Sequence, residues 1–137
     1  MVHALKQAHA LLQPGGLLLD IHDLPVPHAI EVRSAGIAHK AGWLLDRVDF
    51  VNERSAWNAL AQVVSEGLFT LEDEREFTFS VYIDDPPEFQ KWLADRWDTA
   101  YLPEKTIQRL ADLFQQAGQN ARVVLQVPAR MTRLKVA

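Results

Sequence analysis

The break Pro14-Gly15-Gly16 restricts the folds open to this chain more than any other feature. Residues 2–13 before it carry leucines and alanines at helical spacing, and Leu17–Ile21 after it is a short, nearly continuous apolar run. Proline and paired glycines end a helix and let the chain reverse. A short apolar run is typical of a strand covered on both faces. The sequence therefore begins with a helix, a sharp turn and a buried strand.

The middle of the chain predicts three further strands and one helix. Pro25 and Pro27 impose a stiff loop, after which Ile30–Arg33 and Trp43–Phe50 are predicted as strands around a turn over Gly36–Gly42. A helix is predicted from a cap at Asn52 to about Glu66, with an apolar stripe of Trp57, Leu60, Ala61, Val64 and Leu68. The clearest strand is Glu76–Ile83, with one face made by Phe77, Phe79, Val81 and Ile83.

The last third predicts two helices and one long strand. The segment Asp84–Pro87 combines an acidic cap with proline, which starts a helix whose inward side chains are Phe89, Trp92, Leu93 and Trp97. A second helix is predicted from near Pro103 to Gly118, with inward side chains Ile107, Leu110, Ala111 and Phe114. The final strand is predicted over Ala121–Val136, with a change of apolar phase around Pro128.

These elements indicate an α+β fold. We expect a mixed, mostly antiparallel sheet with four to five helices, in a single domain over residues 1–137. A helical insertion at about 85–118 separates the last two strands. If those two strands pair antiparallel, the acidic run 72–76 comes near the basic residues of 130–135. The acidic run itself is predicted to be a solvated loop rather than a metal site, because its carboxylates are consecutive and point apart.

Composition excludes several classes of function. Lys and Arg number 14 against 18 Asp and Glu, a formal net charge of −4, which argues against nucleic-acid binding. The chain has no cysteine, so it forms no disulfide, thiolate zinc site or cysteine nucleophile. It has no apolar run near the roughly 20 residues that span a bilayer, and its N-terminus does not resemble a secretory signal. The prediction is a cytoplasmic protein with no nucleic-acid or membrane partner.

Residues 4–22 carry a resemblance to a known family. They read ALKQAHALLQPGGLLLDIH. This resembles the segment of class I S-adenosylmethionine-dependent methyltransferases in which a helix leads through a Pro-Gly-Gly turn into the fifth strand of the sheet. The two long strands that end this chain, on either side of an insertion, are similar to the sixth and seventh strands of that family. The resemblance implies the C-terminal part of a Rossmann-like methyltransferase.

The same resemblance implies that the chain does not bind the cofactor alone. In the family the cofactor lies on the first four strands, held by a glycine-rich loop after the first and an acidic residue after the second. The only adjacent glycines here, Gly15-Gly16, follow a helix, and no cofactor ligand carries over. The expectation is a truncated methyltransferase-like protein, starting at an internal methionine, whose partner chain supplies the S-adenosylmethionine-binding half.

An alternative reading is a non-enzymatic α+β module that associates with itself or with a partner. Without the cofactor half, one edge of the fifth strand and the apolar side of residues 2–13 are left open. Exposed strand edges and apolar patches favour pairing. A homodimer with two-fold symmetry would cover both. A third reading is a binder of a small molecule.

The densest group of titratable residues follows the first strand. Asp20 and His22 share one face if the strand continues, and Asp23 and His28 flank the proline loop. By the resemblance, this segment borders the substrate pocket, where a histidine can act as general base. A metal site of two histidines and a carboxylate is a second possibility, and a polar strand end at the surface is a third. Asp20, His22 and Trp43 are the predicted substrate-pocket residues, and His22, Asp23 and His28 the catalytic candidates.

Overall fold

The protein is described by a computed structural model of residues 1–137 and has an α+β fold, which confirms the predicted class. Four helices accompany six strands, and every strand pair with a defined register is antiparallel. In chain order the elements are α1 (Val2–Leu11), β1 (Leu17–Asp23), β2 (His28–Ser34), β3 (Ile37–Asp46), α2 (Val51–Ser65), β4 (Phe69–Ile83), α3 (Pro86–Arg96), β5 (Ala100–Tyr101), α4 (Glu104–Ala117) and β6 (Arg122–Val136).

The chain forms two compact units. Unit 1 comprises residues 1–25, 50–77 and 128–137, and unit 2 comprises residues 26–49 and 78–127. The two long strands, β4 and β6, each contribute residues to both units.

Unit 1 packs α1 and α2 against paired strands. Strand β1 runs antiparallel to the end of β6, from Leu17 opposite Lys135 to Asp23 opposite Ala129. The core of the unit is apolar and comes from both helices and from β4 and β6: Leu5, Ala59, Leu60, Val63, Phe69, Leu134 and Val136. Leu11, one of the leucines at helical spacing in residues 2–13, is exposed.

Unit 2 is built on β2, which lies between the start of β6 and β3. Helices α3 and α4 supply its core together with the sheet, through Ile30, Val32, Leu44, Phe89, Leu93, Leu110, Val123 and Leu125. Asp85 caps α3 by accepting a hydrogen bond from the amide of Glu88 at 2.8 Å, as the sequence predicts. Ile107, predicted to point inward, is partly exposed on α4.

The predicted turn over Gly36–Gly42 is wrong. Strands β2 and β3 are joined at Ala35 and Gly36, whose φ angles of 51° and 76° suit a two-residue hairpin. Gly42 lies inside β3 opposite Ile30, at a bulge in the pairing. Strand β3 also ends at Asp46 rather than Phe50, because the next residues form a turn.

The start of α2 and the acidic run also differ from the prediction. Phe50, in a left-handed conformation, precedes the helix, so Asn52 lies in its first turn and is no cap. The run 72–76 is part of β4 and not a loop. Glu72 receives two hydrogen bonds from Arg133 of β6, at 2.7 and 3.0 Å, so these carboxylates are held in a strand by cross-strand guanidinium groups. The predicted closeness of the acidic and basic segments is confirmed.

Gly42→Ala is expected to destabilise unit 2 by about 2 kcal/mol. An added Cβ would lie 2.4 Å from Oγ1 of Thr106 on α4, and Thr106 is buried. Gly36→Ala is the control, since its φ is also positive but no atom lies within 4 Å, so only backbone strain of roughly 1 kcal/mol is expected. Urea unfolding measures the free energy of unfolding of both variants. Equal destabilisation of the two would mean that the Thr106 side chain can move aside without loss of stability.

Arg133→Gln is expected to raise the pKa of Glu72. The hydrogen bonds from Arg133 hold the pKa of that carboxyl below its ordinary value despite some desolvation, which opposes the shift. A lowered pKa stabilises the fold above the pKa of the unfolded chain, and this contribution is lost as pH falls through the folded-state pKa. Titration of the Glu72 carboxyl by NMR measures the change.

The matched control for this titration is Arg75→Gln. It removes one positive charge from β4, where Arg75 pairs with Asp73 at 2.9 Å, and leaves Arg133 in place. The pKa of Glu72 should change less than in Arg133→Gln. Equal changes in the two variants would show a general charge effect rather than a direct hydrogen bond.

Candidate functional site

The alternation of β1 separates polar and apolar side chains at its C-terminal end. Asp20 and His22 lie opposite Thr132 and Arg130 of β6, and directly opposed residues of an antiparallel pair share a face. This face is the one on which the buried Thr132 and Leu134 lie. The strand therefore directs the two predicted polar residues toward the interior of unit 1, beneath its helices.

Asp20 and His22 form a hydrogen-bonded pair. Nδ1 of His22 lies 2.5 Å from Oδ2 of Asp20, with side chains 30% and 11% exposed. A carboxylate at this distance accepts the Nδ1 hydrogen and fixes the tautomer of the imidazole. Nε2 is then the basic nitrogen of the ring. The pair thus has the arrangement of a general base oriented by a carboxylate.

A pocket of about 480 Å³ lies beside His22. Strand β1 contributes Ile21, His22 and Asp23, and the first turns of α2 contribute Asn52, Glu53, Ser55 and Ala56, with Met1 completing the lining. Oε2 of Glu53 is buried, and no protein group donates a hydrogen bond to it. A buried carboxylate oxygen without a donor is costly, so this pocket favours a ligand that carries a hydrogen-bond donor.

A second cavity of about 500 Å³ lies on the same unit, and the sequence did not predict it. Its walls are mainly apolar and come from α2, β4 and β6: Leu60, Ala61, Val64, Leu71 and Leu134. Trp57, predicted as a core residue, lies at its edge with the guanidinium of Arg130 4.1 Å from the ring centroid. Arg130 is held by Glu76 at 2.7 Å and by Glu74 at 3.7 Å. No spacing along the chain joins Trp57 of α2 to Arg130 of β6, so only the tertiary structure reveals this contact.

The other predicted site residues are dispersed. Asp23 lines the pocket beside His22. His28 belongs to unit 2 and is fully buried, with its ring centroid 5.2 Å from that of Trp97. Trp43 also belongs to unit 2, where Lys40 lies 3.4 Å above its ring. The structure therefore brings together Asp20, His22 and Asp23 in unit 1.

No group of three or more His, Asp or Glu side chains is arranged so that it could hold a metal ion. No helix is both long and apolar enough to cross a membrane. Comparison of the chain with protein-family models, with curated proteins and with solved structures found no match.

Asp20→Ala is expected to change the tautomer of His22. Loss of the carboxylate acceptor returns the neutral ring to the mixture of tautomers that imidazole adopts in water. Asp20→Asn is the control, because its amide oxygen can still accept the Nδ1 hydrogen. Nitrogen chemical shifts of the neutral His22 ring report the tautomer. Identical shifts in the original chain and in Asp20→Ala would contradict the hydrogen bond.

Proposed function

We propose that this chain is a methyltransferase-like protein that binds the methyl acceptor, with S-adenosylmethionine held by a partner chain. The observation that carries the proposal is the Asp20–His22 pair beside a polar pocket at the end of β1. In the family that residues 4–22 resemble, the segment after this strand borders the substrate pocket. The chain is therefore proposed to be catalytic only within a complex.

The surrounding fold supports this proposal. Gly15 has a φ of 76° in the turn that leads from α1 into β1. Strand β1 pairs with β6, and β4 pairs with β6 as well. These three strands are the ones that the resemblance equates with the fifth, seventh and sixth strands of the family.

His22 is proposed to act as the general base. When the acceptor oxygen attacks the methyl carbon, its proton passes to Nε2 of His22, and the new O–CH₃ bond replaces the sulfur–CH₃ bond of the cofactor. The cofactor held by the partner chain would supply the methyl group, and the neutral thioether S-adenosylhomocysteine would be the leaving product. Asp20 stabilises the imidazolium that forms, because its carboxylate already accepts the Nδ1 hydrogen. Positioning of the acceptor supplies much of the remaining rate increase.

The lining of the pocket indicates the chemical class of the acceptor. Asp23 and Glu53 place two acidic side chains around His22, which disfavours an anionic acceptor. The buried Oε2 of Glu53 requires a donor, and Nε2 of His22 accepts one. We therefore propose a neutral or cationic molecule with a hydroxyl group, of a size that fits about 480 Å³.

Phenol and anisole form a matched pair of probes for this pocket. They have similar ring shapes, but anisole lacks the hydroxyl donor. Phenol is expected to shift the backbone amide signals of the pocket residues Asn52 and Ser55 in a saturable way at millimolar concentration, and to bind at least three-fold more tightly than anisole. Glu53→Gln and His22→Ala should weaken the binding of phenol and leave the binding of anisole nearly unchanged. Equal binding of both probes, or binding of neither, would contradict the proposed acceptor site.

Calorimetric titration with S-adenosylmethionine and S-adenosylhomocysteine tests the other half of the proposal. The isolated chain is expected to give no heat of binding with either. Binding in the micromolar range would show a cofactor site within this chain and would overturn the requirement for a partner.

A further inference from the structure

Strand β1 is an edge strand, since β6 is its one partner in the sheet. The hydrogen bonds at its two ends define which backbone groups remain open. Val136 donates its amide hydrogen to the carbonyl of Gly16 at 2.9 Å, and Leu24 donates to the carbonyl of Pro128 at 2.8 Å. In an antiparallel pair the hydrogen-bonded residues alternate. Even-numbered residues of β1 therefore direct their backbone groups to β6, and Leu17, Leu19 and Ile21 direct theirs to the open edge.

The same three residues form an apolar stripe. Their side chains share the face of β1 that is turned away from the helices of unit 1, and they are 51%, 61% and 57% exposed. Leu17–Ile21 contains no proline, lysine or bulge, which are among the features that block strand addition. One short segment thus offers both unpaired backbone groups and exposed apolar side chains.

We propose that this edge pairs with the same edge of a second copy of the chain. A two-fold axis through Leu19 places Leu19 opposite the partner's Leu19, and Leu17 opposite the partner's Ile21. All three residues are those whose backbone groups face outward, so the pairing forms six backbone hydrogen bonds and continues the antiparallel sheet. Each exposed apolar side chain then lies beside an apolar side chain of the other copy.

Charge selects this register over the longer one. An axis through Asp20 would pair Leu17–Asp23 over seven residues. It would also set Asp20 directly opposite the partner's Asp20 and Leu17 opposite the partner's Asp23. Like charges directly opposite one another destabilise a strand pair. The register centred on Leu19 avoids both contacts and sets each exposed apolar residue of the edge opposite an apolar residue of the second copy, so the segment is complementary to itself.

Sedimentation velocity from about 5 to about 500 μM tests the association. A dimer is expected with a dissociation constant on the order of 10–100 μM, as a single strand pair is a small interface. Leu19→Lys should weaken it at least ten-fold, because two lysines would meet at the axis. Ile37→Lys is the matched control, an exposed apolar residue of β3 that should leave the constant unchanged. A monomer at every concentration, or no effect of Leu19→Lys, would overturn the proposal.

Single cysteines test the register, since the chain has none of its own. Opposed Cα atoms in a hydrogen-bonded pair lie about 5.5 Å apart, within the range that a disulfide spans. Under mild oxidation Leu19→Cys should form covalent dimers, and Leu17→Cys should not. Efficient cross-linking of Asp20→Cys but not of Leu19→Cys would overturn the register. Leu17 and Leu19 do not line the pocket beside His22, so the readouts from their variants are independent of the proposed acceptor site.

Discussion

The pairing of β6 is the interaction on which the rest of this structure depends. Its residues 129–135 pair with β1 and its residues 122–126 pair with β2, while β4 pairs with it as well. Each compact unit therefore has one stretch of the same strand at its core. Odd-numbered positions are buried from Val123 to Ala129, with Val124 buried as well, and even-numbered positions are buried from Thr132 onward. This change of phase lets one strand present an apolar face to the core of each unit in turn.

The pairing of β1 with β6 also determines which residues of β1 face the proposed acceptor site and which face the proposed dimer interface. Side chains at even positions, Asp20 and His22, face the pocket side of unit 1, and their backbone groups belong to the ladder. Side chains at odd positions, Leu17, Leu19 and Ile21, are exposed, and their backbone groups face the open edge. A strand with a period of two can hold a polar pair on one face and an association surface at its edge. The two proposals share Ile21, which also lines the pocket beside His22, and otherwise use different residues of one segment.

Ion pairs between β4 and β6 influence the structure of unit 1 more than its stability. Arg133 and Arg130 both join β6 to the acidic residues of β4, and Arg130 also covers the ring of Trp57. Exposed pairs contribute little to stability individually, about 0–1 kcal/mol. Their effect here is on structure, since they hold consecutive carboxylates in a strand and place a guanidinium at the mouth of an apolar cavity.

The sequence by itself determined the elements whose signals are local. The Pro14-Gly15-Gly16 turn, the Asp85 cap and the strand after the turn depend on neighbouring residues, so these elements and the shared face of Asp20 and His22 could be predicted. The expectation that this strand is covered on both faces is wrong, because Leu17, Leu19 and Ile21 are exposed. Tertiary structure decided what depends on distant residues. The run 72–76 lies in a strand, where Glu72 accepts a hydrogen bond from Arg133. Gly42 lies within β3 beside Thr106, and Arg130 lies over the ring of Trp57. Such contacts have no periodic signature, because the partners are brought together by strand pairing and helix packing and not by their spacing in the chain.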